Sequence, residues 1–184
     1  GFLFDKNNRA QVDNPKFKED NPQILGVRAV KSYFFFGDLL FALGAGIENT
    51  APQHPGNLFT TVEQTLNQGM EKVSGAPGNA VAYRNNGFLY GVLPQATTGK
   101  IHAETAKRRT DWKRLSKANK NASESDVELF SLWIDHGKNV KNGTYAYFVA
   151  CDGKIPAKLP EILANTPKLQ AALSPDGKTV EAMF

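Results

Sequence analysis

Cysteine is nearly absent from this chain. Cys151 stands alone, so no internal disulfide can form and the fold must be held by packing. Long hydrophobic runs are absent too. No stretch of about 18 apolar residues occurs, so no membrane-spanning helix and no membrane partner are expected. No cleavable leader pattern opens the chain, and its start at Gly1 reads as a processed product or an excised piece. The three histidines, His54, His102 and His136, lie too far apart for ligand spacing. No metal or other cofactor is therefore expected. Cys151 closes the strand-like run Tyr145–Cys151 and reads as a buried, inert thiol rather than a nucleophile.

What is present suffices for one packed domain. The 184 residues are 41% hydrophobic and 22% charged, which argues against global disorder. The net charge is +4, and it is local. Residues 104–120 carry Lys107, Arg108, Arg109, Lys113, Arg114, Lys117 and Lys120 against only Glu104 and Asp111. Two readings stand: a contact for a polyanion, or a strand edge kept soluble by its charges.

The stretch 31–47 organises the rest. Tyr33–Phe36 and Leu39–Leu43 are two apolar runs broken by Gly37-Asp38, the pattern of a β-hairpin with a two-residue turn. Neither run alternates with polar residues, so both faces of the hairpin should be covered. Further short strands follow at 59–66, 70–73, 80–83, 88–92, 128–135, 144–150 and 179–184, with strands or strand edges at 101–106 and 112–115. Asn-, Gly- and Pro-rich turns separate them, including Asn85-Asn86-Gly87. Strand 144–150 should place Tyr145, Tyr147 and Val149 on one face and Ala146 and Phe148 on the other. Leu159–Leu173 is the one helix candidate, split by Pro167 into one or two short helices near the C-terminus. The whole reads as an all-β, antiparallel β-sandwich.

Five segments in order resemble one family: Lys31–Asp38, Leu43–Thr50, Thr60–Gln64, Ser131–His136 and Gly143–Phe148. Together they look like the large β-sandwich of polysaccharide lyase family eight, the chondroitin, hyaluronate and xanthan lyases. Ile-Glu-Asn-Thr with Trp-Ile-Asp-His is most similar to the chondroitin sulfate ABC branch. The resemblance covers roughly residues 24–150. It implies a galactose-mutarotase-like supersandwich and β-elimination on uronic-acid polysaccharides, with secreted or periplasmic location. In such enzymes a Tyr moves the proton, a His or Asn neutralises the uronate, and Arg and Glu position them. The Tyr, His and Arg sit on an N-terminal helical toroid, which this chain does not contain. Residues 1–184 are thus expected to be one sandwich domain of a larger lyase, inactive alone. Its partners would be an acidic polysaccharide and the helical toroid of the same parent, not nucleic acid.

The resemblance gives Glu63 an orienting part in catalysis. One Glu can neither abstract the proton nor stabilise the anion that results, but it can hold an Arg or a Tyr in place. His54, Gln64, Arg108 and Arg109 are candidate substrate contacts. Each also has a bland reading as an ordinary surface or loop residue. Asp135 and His136 read as structural, and Trp133 as core. The alternative reading of the whole is a free-standing carbohydrate-binding or adhesion sandwich.

Overall fold

The computed structural model describes residues 2–7, 26–51, 56–110 and 124–184. Thirteen strands lie among them: β1 (Phe2–Asn7), β2 (Gly26–Phe36), β3 (Leu39–Asn49), β4 (Leu58–Leu66), β5 (Glu71–Val73), β6 (Val81–Asn85), β7 (Phe88–Val92), β8 (Lys100–Arg109), β9 (Asp126–Gly137), β10 (Gly143–Ala150), β11 (Glu161–Asn165), β12 (Gln170–Leu173) and β13 (Val180–Met183). All pairings are antiparallel. The central sheet runs β1-β2-β3-β10-β7-β6-β5. A sheet β4-β9-β8 and a sheet β11-β12-β13 complete the fold.

β2 and β3 form the expected hairpin, with Phe36 opposite Leu39. The positive φ of the turn falls on Gly37 alone (62°), as a type II′ turn requires at its first central position. Strand β3 alternates between two cores. Leu39, Phe41 and Leu43 enter one, with Phe148, Leu89 and Ala172. Ala42 and Ile47 enter the other, with Phe130, Leu132, Ile134 and Tyr145. The β4-β9-β8 sheet supplies the second core and the β11-β12 hairpin helps close the first. The apolar runs of this hairpin are continuous because both of its faces are buried. The face assignment for 144–150 holds as well.

The run Leu43-Gly-Ala-Gly-Ile ends the regular part of β3. Gly44 pairs with Tyr145, whose ring lies across it: a Cβ there would sit 2.1 Å from Tyr145 Cε1. Gly46 has φ of 60° inside the strand, where the register of β3 against both neighbours shifts. This is a β-bulge that only glycine occupies without strain.

The helix expected over Leu159–Leu173 does not form. That segment is the β11-β12 hairpin, turning at Thr166–Leu169 around Pro167. Its Leu and Ala content favours a helix locally, but the open face of the central sheet needs a cover, and tertiary burial outweighs propensity. Fully buried Gln170 fastens the hairpin down. It accepts from Ser32 Oγ and donates to Asn165, whose own amide donates to the carbonyls of Gly44 and Tyr145. The described helical structure is two 3₁₀ turns, Pro77–Asn79 and Pro94–Ala96, neither near the C-terminus. Cys151 is exposed rather than buried. β10 ends at Ala150, and Cys151 begins a turn held by its N–H to the Asp38 carbonyl, 2.8 Å. The expected strand 112–115 lies outside the described residues, as does most of the turn expected at 119–125.

Gly44→Ala forces the Tyr145 ring or the β3 backbone to move. It should cost about 1–3 kcal/mol. Urea denaturation reads this as a lowered midpoint with unchanged slope.

Candidate functional site

The sheet β4-β9-β8 has one face on the core and one open face, and β4 decides what each presents. Thr61 pairs with Trp133, yet Glu63 pairs with Leu132 next to it, so Val62 is an extra residue in a bulge. Strict alternation with Val62 inward would turn Glu63 outward. The bulge instead puts Val62 and Glu63 on the same inward side.

Glu63 therefore faces an open recess of ≈ 440 Å³ at the seam between the sheets. Val62, Phe88, Tyr90, Tyr147 and Cys151 line it with Glu63. The Tyr90 hydroxyl donates to the Glu63 carboxylate, which also accepts from the Gln64 N–H at 2.8 Å. Burial first, then the bond and the charge of Glu63, push the Tyr90 phenol far above its ordinary value. Burial likewise raises Tyr147, aided by Tyr33, which shares a hydrogen bond with it. These phenols stay protonated at neutral pH, so they are donors and poor bases. Among the described residues no Lys or Arg forms a salt bridge with Glu63.

Gln64 points the other way, into a shallow groove of ≈ 260 Å³ on the open face. Phe59, Thr61, Glu104, Ser131 and Trp133 line it with Gln64. The structure thus separates Glu63 from Gln64 by the thickness of a sheet. Trp133, expected in the core, is half-buried on this outer face, while Phe130 occupies the core position. His102 lies opposite Trp133 in register and stacks on it, centroids 5.2 Å apart and planes 12° apart.

The basic segment is a ribbon of β8 and β9. Arg108 pairs with Glu104 at 3.0 Å and Arg109 with Glu124 at 2.7 Å, all on the surface. In the described part of the ribbon, Lys107, Arg108 and Arg109 face Glu104, Glu124, Asp126 and Glu128. The local excess of positive charge is therefore compensated across the strands among the described residues. Such exposed pairs are weak, so an anion can replace the carboxylate. His54 lies outside the described residues.

Asp135 and His136 have structural parts. Asp135 accepts from Asn57 Nδ2 and the Gly137 N–H. Buried His136 has Nε2 2.8 Å from Thr60 Oγ1 and Nδ1 2.7 Å from the Thr98 carbonyl. The carbonyl can only accept, so Nδ1 carries the proton and Nε2 accepts from Thr60. Among the described residues no three His, Cys, Asp or Glu side chains converge as metal ligands, and no helix is long and apolar enough to cross a membrane.

Comparison with known proteins places the fold. The model of the polysaccharide lyase family 8 super-sandwich domain matches residues 14–155, and the chain belongs to that family. It is 28% identical to chondroitinase-AC of Pedobacter heparinus over 175 residues, 86% of this chain and 24% of that protein. The chain thus spans about a quarter of that relative's length. A chondroitinase AC lyase solved with oligosaccharides superposes with a TM-score of 0.71 at 24% identity, over 89% of this chain and 27% of that one. For the Streptomyces coelicolor A3 chondroitin AC lyase with chondroitin sulphate the figures are 0.70, 22%, 87% and 22%. For Paenibacillus xanthan lyase they are 0.67, 22%, 87% and 18%. These structural likenesses establish the super-sandwich fold. The curated relative is of the AC kind, and the expected likeness to the ABC branch is not shown by it.

Sequence reading missed Tyr90 and the His102–Trp133 stack. Neither has a local signal, because both depend on cross-strand register.

Burial holds His136 below its ordinary value of 6.5, and nearby Lys31 adds to this. The Thr98 carbonyl and Asp135 oppose it. On acidification the unfolded chain takes up the proton first. The stability from neutral His136 is complete above pH about 6.5 and declines as pH falls through that value. Melting temperatures between pH 8 and 5 should show this decline, and His136→Asn should flatten it.

Proposed function

We propose that this chain is the sandwich portion of a lyase that cleaves uronic-acid polysaccharides of the chondroitin type by β-elimination, and that it is inactive alone. Membership of family 8 carries this reading, supported by the 28% identity to chondroitinase-AC. The recess supports the second half. Its tyrosines are held neutral, and a group that must accept a proton next to a carboxylate needs the opposite. The base, the uronate-neutralising group and their Arg belong to a helical domain of the parent, which is secreted or periplasmic.

Glu63 takes the orienting role. The bulge and Tyr90 fix its carboxylate at the mouth of an open recess, where an Arg or Tyr of a neighbouring domain can use it. The bond from Tyr90 supports a second reading, in which Glu63 only braces one sheet against the other. Arg108, and Arg109 on the opposite side of the ribbon, would exchange their surface carboxylates for uronate or sulfate. The ABC-like motifs and the AC relative's name point to different branches, and so to different chondroitin substrates. Digestion of a panel of chondroitins differing in uronate epimer and sulfation decides between the two.

The full-length protein should generate unsaturated uronate from chondroitin, followed by its ultraviolet absorbance, and residues 1–184 alone should generate none. Product from the isolated chain overturns the division of labour.

Glu63→Gln keeps an acceptor for Tyr90 and removes the charge. In the full-length protein the orienting role requires turnover to fall by roughly tenfold or more at an unchanged melting temperature. Unchanged turnover assigns Glu63 to bracing alone.

A further inference from the structure

The open face of the β4-β9-β8 sheet is not an ordinary solvated face. An antiparallel sheet with one face on the core presents polar residues outward. Here the central strand presents Trp133, in register between Thr61 of β4 and His102 of β8. The next row is Gln64, Ser131 and Glu104. Phe59 stands at one end, 58% exposed. Trp133 and Phe59 thus line one groove with an amide, two hydroxyls, Thr61 and Ser131, and the Glu104 carboxylate, which Arg108 pairs.

We infer that this groove is a saccharide-binding subsite, separate from the Glu63 recess and on the opposite side of the sheet. It takes one sugar ring of an anionic polysaccharide. The choice of sugar rests on the reading of the chain as part of a uronate-polysaccharide lyase. The groove's own chemistry favours a sugar over a protein surface. A pyranose has an apolar C–H face that covers a flat ring, and a rim of hydroxyl or acetamido groups that need donors and acceptors. Trp133 supplies the ring, and its stacking on His102 fixes the plane. Gln64 Nε2 lies 3.3 Å from Ser131 Oγ, a long bond that leaves both groups able to engage a ligand. Lys100 and Arg108 stand on the same face of β8, two and six residues from His102, along the direction a chain would follow. Arg108 is paired on the surface with Glu104, 3.0 Å away, and Lys100 stands in register with Asp135, whose carboxylate is held by Asn57 and the Gly137 N–H. A uronate or sulfate group beside the Trp133 ring can displace Glu104 from Arg108 or pair with Lys100.

The test is electrophoresis of the full-length protein through gels containing chondroitin sulfate, with retardation read as an apparent Kd. Trp133→Ala should raise that Kd about five- to tenfold, and Trp133→Phe, which keeps a ring, by less than about threefold. Gln64→Ala, at an exposed position, should raise it about threefold. Melting temperatures establish that each variant is folded. If Trp133→Ala does not fold, Gln64→Ala and Phe59→Ser decide. Retardation that is absent, or unchanged by the folded variants, overturns the subsite even where the protein cleaves chondroitin. Retardation that depends on Trp133 in a protein making no unsaturated uronate upholds the subsite and removes the lyase reading instead.

Discussion

Burial of the β2-β3 hairpin on both faces is the constraint from which the rest of the fold follows. A Leu or Phe moved from water to a core contributes roughly 1.5–3 kcal/mol. In β3, Leu39, Phe41 and Leu43 gain this on one side and Ala42 and Ile47 on the other. A strand of that composition is stable only with cover above and below. One cover is the β4-β9-β8 sheet, through Phe130, Leu132 and Ile134. The other includes the β11-β12 hairpin, seated by Ala172 and the Gln170 network. The two cores are independent in composition but share one sheet, so a shift in β3 is felt in both.

That constraint also explains what the sequence disclosed. Continuous apolar runs broken by Gly37-Asp38 carry both the hairpin and its double burial. The alternation of Tyr145, Ala146, Tyr147 and Phe148 assigns faces without any coordinates. These signals are local: a period of two and a turn. The segment 159–173 misleads for the same reason. Its Leu and Ala content is a local preference, and its actual structure answers a distant need, the uncovered face of the central sheet.

The candidate site was legible only in part, because an irregularity sets it. One extra residue, Val62, reverses the side from which Glu63 projects while leaving Gln64 opposite to it. No composition or spacing marks that bulge. The charge of the 104–120 segment is misleading in another way. A tally along the chain finds cations in a row. The β8-β9 pairing sets Asp126 and Glu128 across from them, and Glu124 pairs with Arg109. Charge read along one strand is half of the electrostatics of a ribbon, since its cross-strand partners lie twenty or so residues away.

The two faces of β4 then divide the chemistry. On the inward side, a carboxylate and protonated phenols are held by burial and by each other, which makes a rigid and proton-retaining seam. On the outward side, a stacked aromatic pair lies beside groups whose hydrogen bonds are long or exposed. Rigid seams position; open faces with exchangeable partners bind. Ordinary alternation sets the adjacent Glu63 and Gln64 on opposite faces, and the bulge at Val62 decides which of the two faces inward. Glu63 and Gln64 are neighbours in sequence and share a backbone hydrogen bond to the Glu63 carboxylate. The same peptide unit therefore ties the position of the inward acceptor to the rim of the outward groove.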